Sequence, residues 1–435
     1  MLERIRIQGF KSLAEVDVEL APLVVLLGPN AAGKSNFLEA LLLLSRLGTE
    51  RTLADAFAGA IRGYPLEAFT LPDGGLAELL KTPSTSLAIE ADIRLAGAPK
   101  EAARLRYRVA VRLEPATGAL SVADELLTRR RADGAPLSGF LPRIEAVDLG
   151  APETERSRGM RLAIRRHGKQ GHPSYEELGL GHTVLSNLQY GGEARYPDFD
   201  RLRTELMGWR IHYLDPRVAM RVAQPPRDVT DIGEHGELIA PFLYRLKNDE
   251  SRRRSFQAIG RTLRSVVPLD SLDVDLDPKR GTLDIQIVQH GTPYSSRVIS
   301  EGTLRLLALC GLAANPWPRS LLAFEEPENG VHPKRIETIA RLVARMVSGA
   351  ERRQVVVTTH SPDFAVEVHK LVRSGELGKA QVRFLQARQE GRYTRLAPLN
   401  MELPLLVQPE FDQALADPEE EGILRQLFVR GWTNE

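Results

Sequence analysis

Apolar and polar residues alternate near the start of the chain with the period of two that is typical of half-buried strands. The alternation covers residues 4–7 and 15–20, and the run 23–27 is wholly apolar, as in a strand buried on both faces. A helical pattern follows over 37–47 and ends at Gly48. The opening of the chain is therefore predicted to form three strands, a loop and a buried helix.

Two further strands are predicted within residues 86–113. In the second of them, apolar side chains face one way and arginines face the other, which predicts an antiparallel sheet with one face in water. The arginine face at 104–112 and the basic clusters at 129–131 and 252–254 allow two interpretations. They could contact nucleic-acid phosphates, or they could be ordinary solvated surfaces.

The remaining chain changes character at about residue 298. Before it, 114–265 shows helical stretches at 237–247 and 251–264, and 272–288 indicates a strand, a turn and a strand. After it, helices and short buried strands alternate, which is typical of a parallel sheet. The predicted order is helix 303–314, strand 321–324, a helix after Pro333, strand 355–357, then short strands and a final helix near 418–430.

The composition is that of a globular protein, with 435 residues of which 43% are hydrophobic and 26% are charged. A net charge of +1 gives no global field that favours nucleic acid. The single cysteine, Cys310, excludes a disulfide framework. No apolar run approaches the roughly 20 residues of a membrane span. We therefore expect a cytoplasmic protein without a membrane partner.

Residues 28–35 form a glycine-rich stretch between the apolar strand 23–27 and the helix that follows. In that context backbone N–H groups point inward and cradle phosphates, helped by the N-terminus of the helix. Lys34 would reach the β and γ phosphates of a nucleotide, and Ser35 would ligate Mg²⁺. The alternative, a chance glycine-rich turn, does not account for the flanking strand and helix.

Two more predicted strands end in polar residues. The strand 321–324 leads into Glu325, which suits the Mg²⁺ shell, and Glu326, which suits a general base for an attacking water. The strand 355–357 leads to His360, which could hydrogen-bond the γ-phosphate or that water. A solvated acidic turn and a structural histidine are the alternatives.

The segment Ser300-Glu301-Gly302 opens a predicted apolar helix, about 20 residues before the acid pair. Ser300 could cap that helix, and Gly302 would let a phosphate approach its N-terminus. A serine and a glycine are common at helix starts, so the position of the segment carries most of its weight.

These four elements, in this order, resemble the ABC-type ATPase heads of the SMC, RecF and OLD group. Residues 9–13 followed by 28–36 resemble the start of an SMC head, and 325–333 is similar to stand-alone ATPases related to RecF and OLD. The resemblance implies an α/β P-loop NTPase fold: a mixed sheet with flanking helices, an antiparallel β subdomain and a compact helical insertion. It implies ATP and Mg²⁺ as ligands.

The resemblance also implies a role for each site residue. Walker A would be Gly28, Pro29, Asn30, Ala31, Ala32, Gly33, Lys34 and Ser35 with the following Asn36, and the signature would be Ser300, Glu301 and Gly302. Walker B would supply Glu325 to the metal and Glu326 to catalysis, His360 would be the switch histidine, and Lys11 would lie near the phosphates. The middle of the signature is Glu301 where the family has a glycine.

An organisation of the chain follows from the same resemblance. Residues 1–125 would form an N-terminal lobe, 126–265 an intervening, partly helical region, and 266–435 a C-terminal lobe of one composite head. About 290 residues separate the glycine-rich stretch from the acid pair, which disfavours a transporter domain, and no sustained heptads indicate an SMC coiled coil. No Asp-x-Asp pair follows His360, which disfavours a Toprim nuclease.

Two functions are consistent with the sequence. In the first, two copies dimerise head to tail on ATP, and hydrolysis drives DNA repair or phage defence with a separate nuclease or other effector. In the second, the chain is a nucleotide-controlled scaffold or sensor with negligible turnover. Steady-state ATPase assays with and without DNA separate them.

Overall fold

The computed structural model describes residues 1–95, 104–131, 134–137, 143–148, 160–166, 172–192, 195–349, 353–399 and 401. The predicted final helix near 418–430 lies outside this part of the chain. Within it, no helix is both long enough and apolar enough to cross a membrane.

The strands and helices follow the predicted order over most of the chain. The strands are β1 (Leu2–Phe10), β2 (Leu13–Glu19), β3 (Leu23–Leu27), β4 (Thr85–Arg94), β5 (Arg104–Glu114), β6 (Ala119–Arg129), β7 (Arg143–Asp148), β8 (Met160–Arg165), β9 (Ser174–Glu177), β10 (Trp209–His212), β11 (Ser271–Asp277), β12 (Thr282–Gln289), β13 (Thr292–Ser295), β14 (Leu321–Glu325), β15 (Gln354–Thr359), β16 (Val382–Glu390) and β17 (Tyr393–Pro398). The helices are α1 (Lys34–Leu47), α2 (Leu53–Ala58), α3 (Leu76–Leu79), α4 (Pro197–Met207), α5 (Ile239–Asn248), α6 (Arg253–Arg264), α7 (Glu301–Ala313), α8 (Ile336–Ser348) and α9 (Pro362–Arg373).

The described residues divide into two compact units. Unit 1 takes Met1–Ala21, the described part of Asn30–Trp209, and Ala387–Ala397; unit 2 takes Pro22–Pro29, the described part of Arg210–Gln386, and the described residues from Pro398 on. The chain thus passes from unit 2 to unit 1 between Pro29 and Asn30, inside the glycine-rich stretch. The three sequence regions with limits at 125 and 265 stay a prediction.

Unit 1 contains an eight-stranded sheet in the order β2-β1-β4-β5-β6-β7-β8-β9, and its ladders are antiparallel. In β5 the predicted apolar side chains are buried on one face, because the pleat sends alternate residues to opposite sides. Strands β6 to β9 are a correction, because no strand was predicted between the end of β5 and residue 177, and 126–265 was expected to be partly helical.

Three of the four arginines on the outer face of β5, Arg104, Arg106 and Arg108, form ion pairs across the sheet. The Nε of Arg106 lies 2.6 Å from Oδ1 of Asp92 on β4, and Nη1 of Arg108 lies 2.6 Å from Oδ2 of Asp124 on β6. This finding favours the second interpretation of the face at 104–112, a solvated surface stabilised by cross-strand pairs.

Unit 2 contains most of a parallel sheet, in which β15 and β16 flank β3 and β14 lies beyond β15. All five residues of β3 are buried, as a strand covered on both faces requires. Strand β10 lies at the far edge next to β14, and β16 continues past Gln386 into unit 1, where β17 follows it. The wholly apolar strand β3 therefore lies in the interior of this sheet.

Helices α5 to α9 surround a core that they share with β3, β14 and β15. Helix α8 buries Ile336, Ile339 and Val343, which recur at helical spacing as predicted. Helix α9 was not predicted, although Ser361, Pro362 and an acid in the first turn are ordinary start signals. A separate antiparallel sheet, β11-β12-β13, confirms the predicted strand, turn and strand and adds a third strand.

Candidate functional site

The carboxyl ends of β14 and β15 bring the predicted acid and histidine together. The two strands are parallel, with Glu325 opposite Thr358, so the residues that follow each strand emerge at the same edge. The N–H of Glu326 donates to the Thr358 carbonyl over 2.9 Å, and Glu326 has a φ of 45°. The Nδ1 of His360 lies 3.0 Å from Oε1 of Glu326. A left-handed φ is uncommon outside glycine and is concentrated at functional sites.

A third carboxylate, Glu328, lies behind this pair and is only 5% exposed. Thr359 donates its hydroxyl hydrogen to Oε1 of Glu328, while Oε2 has no hydrogen-bond partner among the described residues. Burial raises the pKa of this carboxyl. The sequence analysis gave Glu328 no role, although its place two residues after Glu326 is a signal that could have identified it.

Arg305 contributes a positive charge beside these acids. Its Nη1 donates to the Glu326 carbonyl over 3.4 Å, and burial lowers the pKa of its guanidinium, against the opposing effect of Glu328. The Nε of Arg305 and the hydroxyl of Thr358 are buried without a partner among the described residues. Polar atoms of this kind mark a place that water or a ligand can satisfy.

The glycine-rich stretch begins beside the same edge of the sheet. The N–H of Gly28 donates to the Thr359 carbonyl over 3.3 Å, and Pro29 ends the part that belongs to unit 2. The rest of the stretch lies in unit 1, where Ala31 and Gly33 have φ angles of 66° and 86°. In that part, Asn30 and Ala31 are exposed, Ala32 and Lys34 are buried, and Gly33, Ser35 and Asn36 are half-buried.

The N-terminus of α1 suits an anion. The helix has 14 residues, begins at Lys34 and has no acidic residue in its first turn. A Cβ on Gly33 would lie 2.0 Å from Oγ1 of Thr394 and 2.8 Å from Oγ of Ser12, so no side chain fits there. Asn36 donates its amide hydrogen to Ser12 over 2.8 Å, and Ser12 and Thr394 share a 2.7 Å hydrogen bond. This network fixes the glycine-rich turn, and the sequence analysis did not identify it.

Lys11, which the resemblance places near phosphates, has an intramolecular partner. Its ammonium is paired with Glu39 on α1 and also lies 3.3 Å from the Arg62 carbonyl. Arg62 approaches the other oxygen of Glu39 at 3.2 Å, and Glu39 is almost fully buried. Lys11 thus compensates a buried charge, and its role near a nucleotide stays a prediction.

The predicted signature lies at the start of α7 in unit 2. Ser300 caps the helix, as predicted, by accepting a 3.2 Å hydrogen bond from the N–H of Thr303. A Cβ on Gly302 would lie 3.1 Å from the Gly330 carbonyl oxygen, so packing within the chain already favours glycine. Glu301 forms a 2.9 Å ion pair with Arg217.

An open cavity of about 660 Å³ lies in front of this segment. Three basic side chains contribute to its walls. Its lining residues are Ser300, Glu301, Gly302, Gly330, His332, Lys334 and Arg335. The combination of a helix N-terminus and basic side chains suits an anionic ligand.

Arg221 holds the segment that leads into α7. Its guanidinium donates to the carbonyls of Ser296, Arg297 and Ile299 over 2.8, 2.6 and 2.7 Å. Three carbonyls on one rigid fork restrict the backbone just before Ser300. Among the described residues, no group of three or more His, Cys, Asp or Glu side chains could hold a metal ion.

Two family models match the chain. Residues 1–101 match an AAA ATPase domain, and residues 184–367 match a domain described as "AAA domain, putative AbiEii toxin, Type IV TA system". The first range includes the glycine-rich stretch, and the second includes α7, the acid pair and His360.

The chain is also similar to individual proteins. The chain is 29% identical over 167 residues to the DNA replication and repair protein RecF of Thermosynechococcus vestitus. The matched segment covers 38% of the chain and only 35% of that RecF protein. An SMC head bound to the C-winged helix domain of ScpA is similar with a TM-score of 0.53 at 14% identity, over 93% of the chain and 99% of that structure. An SMC head with an extended coiled coil, bound to a ScpA domain derived from Pyrococcus furiosus, gives 0.50 at 13% identity, over 94% and 99%.

Proposed function

We propose that this chain, whose fold is that of the ABC-type ATPase heads of the SMC and RecF group, is a Mg²⁺-dependent ATPase. A second copy of the chain would complete its ATP site. The observation that supports turnover best is the 3.0 Å contact between His360 and Glu326 at the ends of two parallel strands. A carboxylate next to an imidazole suits the activation of a water.

The chain's own residues have distinct tasks in this proposal. Glu326 accepts a proton from the attacking water, and His360 orients the carboxylate or the γ-phosphate. Lys34 and the N–H groups of the glycine-rich stretch bind the β and γ phosphates. Ser35 and Glu325 offer the hard oxygen ligands that Mg²⁺ prefers. When bound, Mg²⁺ would neutralise charge that develops on the phosphates.

The second copy would contribute the start of α7. Ser300 and Gly302 face an open cavity with basic walls, which suits the γ-phosphate of an ATP held by the partner. By analogy with RecF we propose that the ATP cycle is linked to DNA, in repair or in phage defence with a separate effector. The analogy covers about a third of the RecF protein, so the pathway rests on the proposal alone.

Glu326→Gln tests the mechanism. The variant should bind ATP, lose steady-state hydrolysis by at least 100-fold, as expected of a lost general base, and accumulate as a dimer in light scattering. Glu337→Gln, on the exposed first turn of α8, is the matched control and should hydrolyse ATP at the wild-type rate.

Two results would count against the proposal. A Glu326→Gln variant that stays monomeric at saturating ATP removes the dimer mechanism. A wild-type chain that binds ATP without turnover, with or without DNA, supports the alternative of a nucleotide-controlled scaffold, in which the Arg217–Glu301 pair occupies the signature.

A further inference from the structure

One face of α6 carries a row of exposed arginines. The opposite face packs into the core of unit 2 through Ile259 and Leu263. At about 100° per residue, the arginines fall within an arc of about 100°, so they form one stripe. We name them the α6 arginines: Arg253, Arg254, Arg261 and Arg264, all exposed.

The α6 arginines differ from those of the unit 1 sheet in having no acidic partner. Among the residues that the structure describes, none of the four guanidinium groups takes part in an ion pair, and Nε of Arg253 donates to the Lys247 carbonyl over 3.2 Å. The helix itself contains no Asp or Glu.

Two carboxylates near the ends of this stripe have partners of their own. Asp249 binds Arg252, and Asp273 lies 2.5 Å from the Lys247 ammonium. The α6 arginines therefore form no ion pair within the described chain, whereas Arg106 and Arg108 on β5 do.

We propose that the α6 arginines bind the phosphate backbone of double-stranded DNA. Guanidinium groups pair with phosphate oxygens in a fork geometry, and they remain charged at every relevant pH. Arg253 and Arg264 are separated by about 16 Å along the helix axis. A duplex carries one charge per roughly 1.7 Å, so about ten phosphates lie along that length.

The surroundings favour a duplex over other anionic partners. Phe256, the aromatic residue of α6, is packed against the core and is not available for stacking on bases, which single strands use. The apolar side chains of α6 are buried as well, so a lipid surface would meet charge without an inserted apolar face. A row of charges on one helix face suits a regular polyanion.

This inference gives the proposed DNA link a location and rests on that part of the proposed function. It makes no use of the ATP site, so both can be tested separately. DNA binding is measured without nucleotide, and ATP hydrolysis is measured on the same preparations.

The test compares two fourfold Arg→Gln variants of the full chain. One changes the α6 arginines. The control changes four ion-paired arginines, of which Arg395 is exposed and the others are half-buried, and it has the same net charge: Arg4, Arg108, Arg341 and Arg395. Affinity for a short fluorescent DNA duplex is measured by anisotropy over a salt series. The α6 variant should reduce the slope of log K against log salt by up to about 3.6, because each phosphate contact contributes about 0.9. The control should keep the wild-type slope.

A variant with the α6 arginines changed to lysine should retain most of the slope, since the charges remain. The proposal is overturned if the α6 Gln variant binds the duplex as the wild type does, or if the control loses as much. It is also overturned if wild-type binding to phosphatidylserine vesicles or poly-glutamate depends on α6 and duplex binding does not. Duplex binding without any ATP turnover would refute the proposed ATPase and leave this inference standing.

Discussion

Removal of the Asp198 carboxylate tests whether burial controls the value of an ion pair in this protein. The Nε and Nη2 of Arg129 donate to the two oxygens of Asp198 over 2.6 and 2.9 Å, and the two side chains are 9% and 0% exposed. Asp198→Ala leaves a guanidinium in the interior without its counter-ion. Removal of one partner of a buried ion pair costs about 3–5 kcal/mol of stability, so we expect Asp198→Ala to lower the free energy of unfolding of unit 1 by that amount.

An exposed pair with the same geometry provides the control. Arg4 donates to the two oxygens of Asp17 over 2.7 and 2.6 Å, but these side chains are 39% and 41% exposed. Water stabilises the charges when the pair is broken, so Asp17→Ala should cost about 1 kcal/mol or less.

The assay has to report on unit 1, because a chain with two compact units need not unfold in one step. Hydrogen exchange followed by mass spectrometry on peptides from β6 and α4 gives a local free energy of opening, and urea melts give the overall order of stability. Equal losses for the two variants would refute the reasoning. The double variant Arg129→Met with Asp198→Leu removes the unpaired guanidinium, so it should be more stable than Asp198→Ala. A double variant that is no more stable than Asp198→Ala would also refute the reasoning.

Three further predictions concern single residues. Burial raises the pKa of Glu125 from 4.5 to about 7, so its contribution to stability is complete below about pH 4.5 and is lost as the pH rises through about 7, a loss of about 3 kcal/mol. Hydrogen exchange on peptides from β6 at about pH 5 and pH 8 should show that decline in the wild type and not in Glu125→Gln, and an equal decline in both contradicts it. Gly33→Ala should destabilise the protein by more than about 1 kcal/mol, because φ is 86° and Thr394 fills the space that the new methyl group would need. Gly260→Ala in α6 should stabilise the protein by about 0.4–1 kcal/mol, because nothing lies within 4 Å of the added Cβ. Thermal melts in which both variants shift the melting temperature in the same direction would be inconsistent with this. Ser300→Ala should cost about 1 kcal/mol through loss of the α7 cap, which hydrogen exchange at the start of α7 measures, and unchanged protection there would count against the cap.

The central strands and the residues that directly follow them were predictable, because their local sequence pattern matches their burial in the fold. Five apolar residues in a row form β3, which is buried on both faces. The acids and the histidine follow such strands directly, so their meeting at one edge of the sheet follows from parallel pairing. The cap at Ser300 was predictable for the same reason, since it depends on residues three apart.

Strand β6 shows why other parts were not predictable. Its register shifts at Ala123, so the buried positions move from Val122 to Glu125 and the period of two is broken. The second of these positions holds a carboxylate, which accepts hydrogen bonds from the N–H groups of Val184 and Leu185. A buried carboxylate of this kind cannot be predicted from the local sequence, because the N–H groups that stabilise it lie about 60 residues away in the chain.

The state of a charged side chain was equally beyond the sequence. Arginines on β5 and on α6 have the same character in the sequence, yet Arg106 and Arg108 on β5 meet carboxylates from neighbouring strands and the α6 arginines do not. The family resemblance placed Lys11 near phosphates, and its partner Glu39 becomes apparent only through the fold. Pairing between distant segments decides such cases.

The pairing of β3 has a consequence for synthesis of the chain on the ribosome. Its neighbours in the sheet, β15 and β16, begin at Gln354 and Val382, more than 320 residues later. At about 5–20 residues per second, the nascent chain carries this apolar segment unpaired for roughly 15 to 65 seconds, long enough to invite aggregation. Pro22 and Pro29 bracket the segment. Prolines at such positions act as gatekeepers against premature strand pairing, so their replacement should lower the soluble yield of newly made protein before it changes the stability of the finished fold.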